Sequence, residues 1–199
     1  MSPADSLERL AARVREEGPP LMTRDAGDLV ASGTGPTALG ELAASGPRTS
    51  SRGSEYAYVV EAVREGYLCH YGSSRVLADP DPDLALLAGD LFYAIGIRGL
   101  ADLDDLESTG ILSDLIRVAA DLQAAGRADL AEILWLGQIV ALSCGKDDSY
   151  DDRLAALEAG QEGAGEALAG WSLDKATTSG LGREFGTAQT AIDSGPSNF

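Results

Sequence analysis

Between Ser54 and Trp171 the apolar residues of this chain recur three and four apart, and no alternating run of Val, Ile and Thr appears anywhere. A period near 3.6 lines one face of a helix, whereas a half-buried strand needs a period of two. The expectation is an all-α protein: a compact bundle of about four to five helices, with a poorly ordered N-terminal linker and C-terminal tail. Tyr56, Val59, Val60, Val63 and Tyr67 line a first core helix from Ser54 to about Tyr71. Asp81-Pro82 then reads as a capping carboxylate followed by proline in the first turn, opening a helix through Leu84, Leu87, Leu91 and Ile95 to about Leu100. Its glycines at 89, 96 and 99 lower helix propensity and allow a neighbour to approach closely. Ala101 to Gly110 reads as an acidic connector or short helix. Ile111 to Ala125 is amphipathic, and Ala128 to Cys144, with few polar members, is the expected central helix. A weaker helix is expected from Tyr150 to about Trp171.

The flanks read differently. Residues 1–17 form an amphipathic helix that Ser2 can cap, with Pro3 at its first position and Leu7, Leu10, Ala11 and Val14 on one face. Residues 18–53, rich in Gly, Ser, Thr and Pro, read as a linker with one weak helical piece, Thr37 to Ala44, and little power to bury apolar area. Residues 54–171 are the helical domain, and 172–199 a disordered tail.

Charge narrows the function classes. Thirty-two acids against 15 bases leave −17, which argues against nucleic acid, since phosphate backbones are held by clustered Lys and Arg. It also argues against anionic lipid surfaces. One histidine and two distant cysteines cannot build a zinc site or a Cys-His-Asn triad. No secretory signal opens the chain. Leu84 to Ala101 is broken by Asp90 and Arg98, and Ile133 to Gly145 falls short of the roughly 20 residues a membrane span needs. A cytoplasmic protein without a transmembrane segment is the expectation.

Three constellations could carry chemistry. Asp147, Asp148, Asp151 and Asp152 would share one helix face, and carboxylates are the ligands Mg²⁺ prefers; the alternative is that acids gather at a helix start because they favour its positive end. Asp90 sits in the middle of an apolar helix, where a carboxylate is costly unless paired. Arg98 two turns on, or Tyr56, Tyr58, Tyr67 or Tyr71, could satisfy it, or it could contact a ligand. His70, at a helix end, is the only side chain titrating near neutrality, and it also suits the role of a cap for the last carbonyls.

Leu87-Ala88-Gly89-Asp90-Leu91, followed by an apolar helix ending Gly99-Leu100-Ala101, resembles the L-A-G-D helix of the polyprenyl diphosphate synthase superfamily. The likeness is greatest to the non-catalytic small subunit of two-component heptaprenyl diphosphate synthases. His70-Tyr71-Gly72 is similar to the histidine and aromatic-Gly step before that helix. It covers residues 55 to 125. Nothing before Asp90 matches the first D-D-x-x-D motif of catalytic members. Asp147 to Asp151 fits that string but follows Asp90 too closely for the second motif, and the gap from His70 to Asp90 is longer than in catalytic members. The chain is also too short for the complete bundle. The resemblance therefore implies a truncated, catalytically incomplete accessory subunit. Gly-bearing apolar helices in a small core suit burial against a protein partner or another copy. The alternatives are an acidic helical adaptor that binds a basic partner, or a Mg²⁺-dependent enzyme acting on a diphosphate.

Overall fold

The computed structural model describes residues 4–25 and 37–193. The expected Ser2 cap and Pro3, the middle of the linker at 26–36, and the end of the tail at 194–199 lie outside these. The fold is all-α, but the expected four to five helices undercount it, for nine occur among the described residues. They are α1 (Ala4–Glu17), α2 (Ala38–Ser45), α3 (Gly53–Tyr71), α4 (Pro82–Leu103), α5 (Leu106–Ala124), α6 (Ala131–Cys144), α7 (Asp148–Glu158), α8 (Ala164–Thr178) and α9 (Gly182–Asp193).

The centre is α6. Its mostly apolar sequence packs on α2, α5, α8 and α9, and two of its polar residues tie it to neighbouring segments. The Tyr150 hydroxyl donates to Gln138 at 2.6 Å, and the Ser143 carbonyl accepts from Arg48 N at 3.0 Å. A second apolar cluster lies beside this core, where Leu7, Leu10, Ala11 and Val14 of α1 meet Ala62, Cys69, Val76, Leu77, Ala88 and Phe92.

Two flanks depart from expectation. The linker contributes a helix whose Leu39, Leu42 and Ala43 enter the main core. Neither is residue 172 onward wholly irregular: α8 runs on to Thr178, and α9 follows. Its stripe is sparse, with Leu181, Phe185, Ala188 and Ile192 at i, i+4, i+7 and i+11, all buried against the core. Gly, Thr and charged or amide residues between them make the composition look disordered while the period is helical. The single helix expected from Tyr150 to Trp171 is instead two, because Gly160 and Gly163 take positive φ of 69° and 75°.

What positions the candidate site is the α3/α4 pair. Asp81 caps α4 by accepting from Leu84 N at 2.9 Å, and Pro82 fills the first turn. The close approach expected at Gly89, Gly96 and Gly99 is made by α3. A Cβ on Gly96 would lie 2.5 Å from Val63 Cγ2, and one on Gly89 would lie 2.7 Å from His70 Cδ2. Only this inner face is covered. Over its most apolar 18 residues, with mean hydropathy 1.5, α4 is 28% buried. It is the one helix among the described residues long and apolar enough to cross a membrane, and it carries Asp90 and Arg98 on its exposed side.

Candidate functional site on the α3/α4 pair

Three residues missed by sequence reasoning hold this region together. Glu61 and Glu65, one turn apart on α3, have no exposed side-chain surface, and both meet Arg75 from the loop after α3. Arg75 Nη1 lies 2.8 Å from Glu61 Oε2, and its Nε donates to Glu65 Oε1 at 2.5 Å. Glu61 Oε1 also accepts from Gly40 N at 2.7 Å, tying α2 to α3. Glu65 Oε2 accepts from the Ser74 hydroxyl at 2.7 Å and from Arg75 N at 3.1 Å, which pins the 72–78 loop. Burial pushes the Glu61 carboxyl up against the opposing pull of Arg75. Burial acts to lower the Arg75 guanidinium, but Glu61 and Glu65 outweigh it and hold the charge. Arg64 lies over the rings of Tyr67 and Trp135 at 5.1 and 4.9 Å, and burial brings its guanidinium down to about 10. The available signal was two acids four apart inside an apolar helix, with an arginine ten residues on.

The loop so pinned walls a cleft of about 450 Å³ that includes Arg24, Cys69, His70, Ser73, Leu77 and Leu86. Burial pushes the Cys69 thiol up to about 12, so it stays protonated and unreactive at neutral pH. His70 is not chiefly a helix cap. Its ring stacks on Tyr93 at 5.4 Å with 11° between planes, and Nε2 lies 3.2 Å from Asp90 Oδ1. The two segments that carry the family resemblance therefore meet, and Gly89 makes room for the imidazole.

Asp90 itself corrects an expectation. It is not a buried carboxylate in search of a donor, for its side chain is 75% exposed. The tyrosines are engaged elsewhere. Tyr56 donates to Asp105 at 2.6 Å, Tyr67 accepts from Gln123 at 2.8 Å, and Tyr58 lies under Arg9 at 4.0 Å. The reason is packing: α4 buries one face against α3, and Asp90 and Arg98 lie on the other.

The acid cluster sits on α7, which packs on α8 and touches α5. Asp147 caps α7, its Oδ1 accepting from Ser149 N at 3.1 Å and Ser149 Oγ at 2.6 Å, while its Oδ2 accepts from Trp171 Nε1 at 2.9 Å. The bonds from Ser149 and Trp171 hold its carboxyl below the ordinary range. Asp151 pairs with Lys146 at 3.0 Å, and Asp148 and Asp152 face outward. Among the described residues no three His, Cys, Asp or Glu side chains converge where a cation would sit. The helix-start account describes this cluster better than a Mg²⁺ cage does.

Beside these charges, apolar surface is also uncovered. Leu87 is 68% exposed, Leu86 47% and Met22 67%, with Met22 and Leu84 lining a second cleft of about 290 Å³ beside the start of α4. Apolar surface grouped in this way marks contact sites. Compared with family models, with curated proteins and with solved structures, the chain finds no match.

Proposed function

We propose that this chain is a non-catalytic helical accessory subunit, isoprenoid-synthase-like in its α3/α4 pair, that works in the cytoplasm by docking a partner subunit along the outer face of α4. The observation that carries the reading is the uncovered apolar side of that helix, at Leu86 and Leu87, with Leu91 half-buried beside them. An apolar helix covered on one side leaves its other side to be buried by association. The meeting of His70 with Gly89-Asp90 supports the likeness to the L-A-G-D helix, since the two segments of the resemblance form one contact. The acids at 147–152 serve α7 and its neighbours, which suits a subunit whose chemistry belongs to its partner.

The test is co-purification with the catalytic subunit of a two-component prenyl synthase, followed by a prenyl-elongation assay of the recovered complex. The expected result is a stable complex that elongates, lost on Leu87→Glu while the variant remains folded. Recovery of the chain without the synthase, together with no effect on elongation, would overturn the reading.

A further inference from the structure

The outermost row of α4 runs Leu86, Asp90, Ala94, Arg98 and Asp102, each four residues from the next and all exposed. Rows of this spacing are the ridges by which helices interdigitate. This one has a charge pattern with a centre: an acid four residues before Ala94 and a base four residues after it. No ion pair within the described residues engages Arg98, while Asp90 has only the His70 edge on its inner side.

We propose that a second copy of this chain packs antiparallel along this row, with the twofold axis passing beside Ala94. The inference rests on reading the outer face of α4 as a docking surface and names its occupant in the isolated protein; a catalytic partner would take the same face by displacing one copy. In a twofold interface each contact occurs twice, so Asp90 of each copy faces Arg98 of the other. The small Ala94 side chains meet at the crossing and allow close approach. Registers one full turn away are disfavoured by the same charges. Centring the pair one turn earlier opposes two Asp90 carboxylates, and centring it one turn later opposes two Arg98 guanidiniums. The same register sets Leu86 of each copy against Asp102 of the other, at the end of α4 beyond which Leu106 opens α5 at 83% exposure. Four of the five large apolar side chains exposed among the described residues, including Met22, thus lie on or beside α4.

Sedimentation equilibrium of the full chain tests this, with Asp90→Arg, Arg98→Asp and the double exchange. All three change exposed side chains, and circular dichroism confirms that each variant is folded. The expected result is a wild-type mass of twice 20.6 kDa, at least tenfold weaker association in each single variant, and recovery to within about threefold in the double. A wild-type chain that stays monomeric at 100 µM would overturn the second copy. That failure is separable from failure of the docking reading, which is decided by whether Leu87→Glu blocks assembly with the prenyl synthase. A dimer indifferent to all three exchanges would overturn the proposed register.

Discussion

Replacing Arg75 by Met removes the one cation that reaches both Glu61 and Glu65, while keeping most of the apolar stem. Both carboxylates have fully covered side chains, and the Arg75 side chain is itself only 17% exposed. Removing one partner of a buried pair costs about 3–5 kcal/mol, because the remaining charge is left uncompensated. Domain stabilities are about 5–15 kcal/mol, so the variant should remain folded but lose a large share of its margin. The loss depends on pH, and its sign follows from Glu61. A carboxyl raised in the folded state binds more protons there than in the unfolded chain. Stability then falls as pH rises from the ordinary glutamate value, about 4.3, toward the raised one. Without the opposing pull of Arg75 the Glu61 carboxyl rises further, and the deficit against wild type should grow between pH 5 and pH 8. Urea unfolding followed by circular dichroism at the two pH values measures it. The triple variant Glu61→Gln, Glu65→Gln, Arg75→Met should recover part of the loss, since no charge is then stranded. A deficit below about 1 kcal/mol at pH 8, the scale of an exposed pair, would refute the reasoning, as would one equal at both pH values.

Three further outcomes follow from other contacts. Gly89→Ala should displace His70, because the new Cβ would lie 2.7 Å from its Cδ2 and Nε2; overpacking of this kind costs about 1–3 kcal/mol, and unchanged imidazole NMR signals would contradict it. Asp105→Asn should flatten the acid limb of a stability curve. Burial pushes this carboxyl up, but bonds from Ser108 and Tyr56 outweigh that and hold it low. Its contribution, of order 1–2 kcal/mol, is present above about pH 3.9 and lost as pH falls through the lowered value; a variant with the wild-type acid limb would count against it. Phe185→Ala should cost about 3–5 kcal/mol and free α9 from protection in amide exchange, whereas retained protection would show that Phe185 does not hold the helix down.

The legible parts of the fold were those with a dense apolar period. α5 and α6 carry an apolar residue every third or fourth position, and α4 opens on a cap and a proline that formed as the local rules require. α9 was illegible because its buried Leu181, Phe185, Ala188 and Ile192 are spread over three turns among Gly, Thr and polar residues, and only the core they contact makes them count. α2 was legible as a helical piece, Thr37 to Ala44, but the surrounding Gly and Pro hid that its Leu39, Leu42 and Ala43 enter the core. The Glu61, Glu65 and Arg75 network depends on a loop folding back onto α3, an event that no local period records. At the candidate site His70, Asp90 and Arg98 were all singled out, and His70 and Asp90 do meet. The environment of Asp90 was misjudged because an apolar helix was taken to be covered on every side, whereas α4 is covered on one.

That uncovered side is most directly tested by a cysteine at its centre. In an Ala94→Cys, Cys144→Ser chain the only other thiol is Cys69, which is buried. Two copies meeting at Ala94 place the new thiols across the twofold axis, within the Cα separation of roughly 4.4–6.8 Å that a disulfide spans. Mild oxidation should give a covalent dimer at micromolar concentration, suppressed by Arg98→Asp. A thiol that reacts fully with maleimide yet yields no covalent dimer would contradict the account.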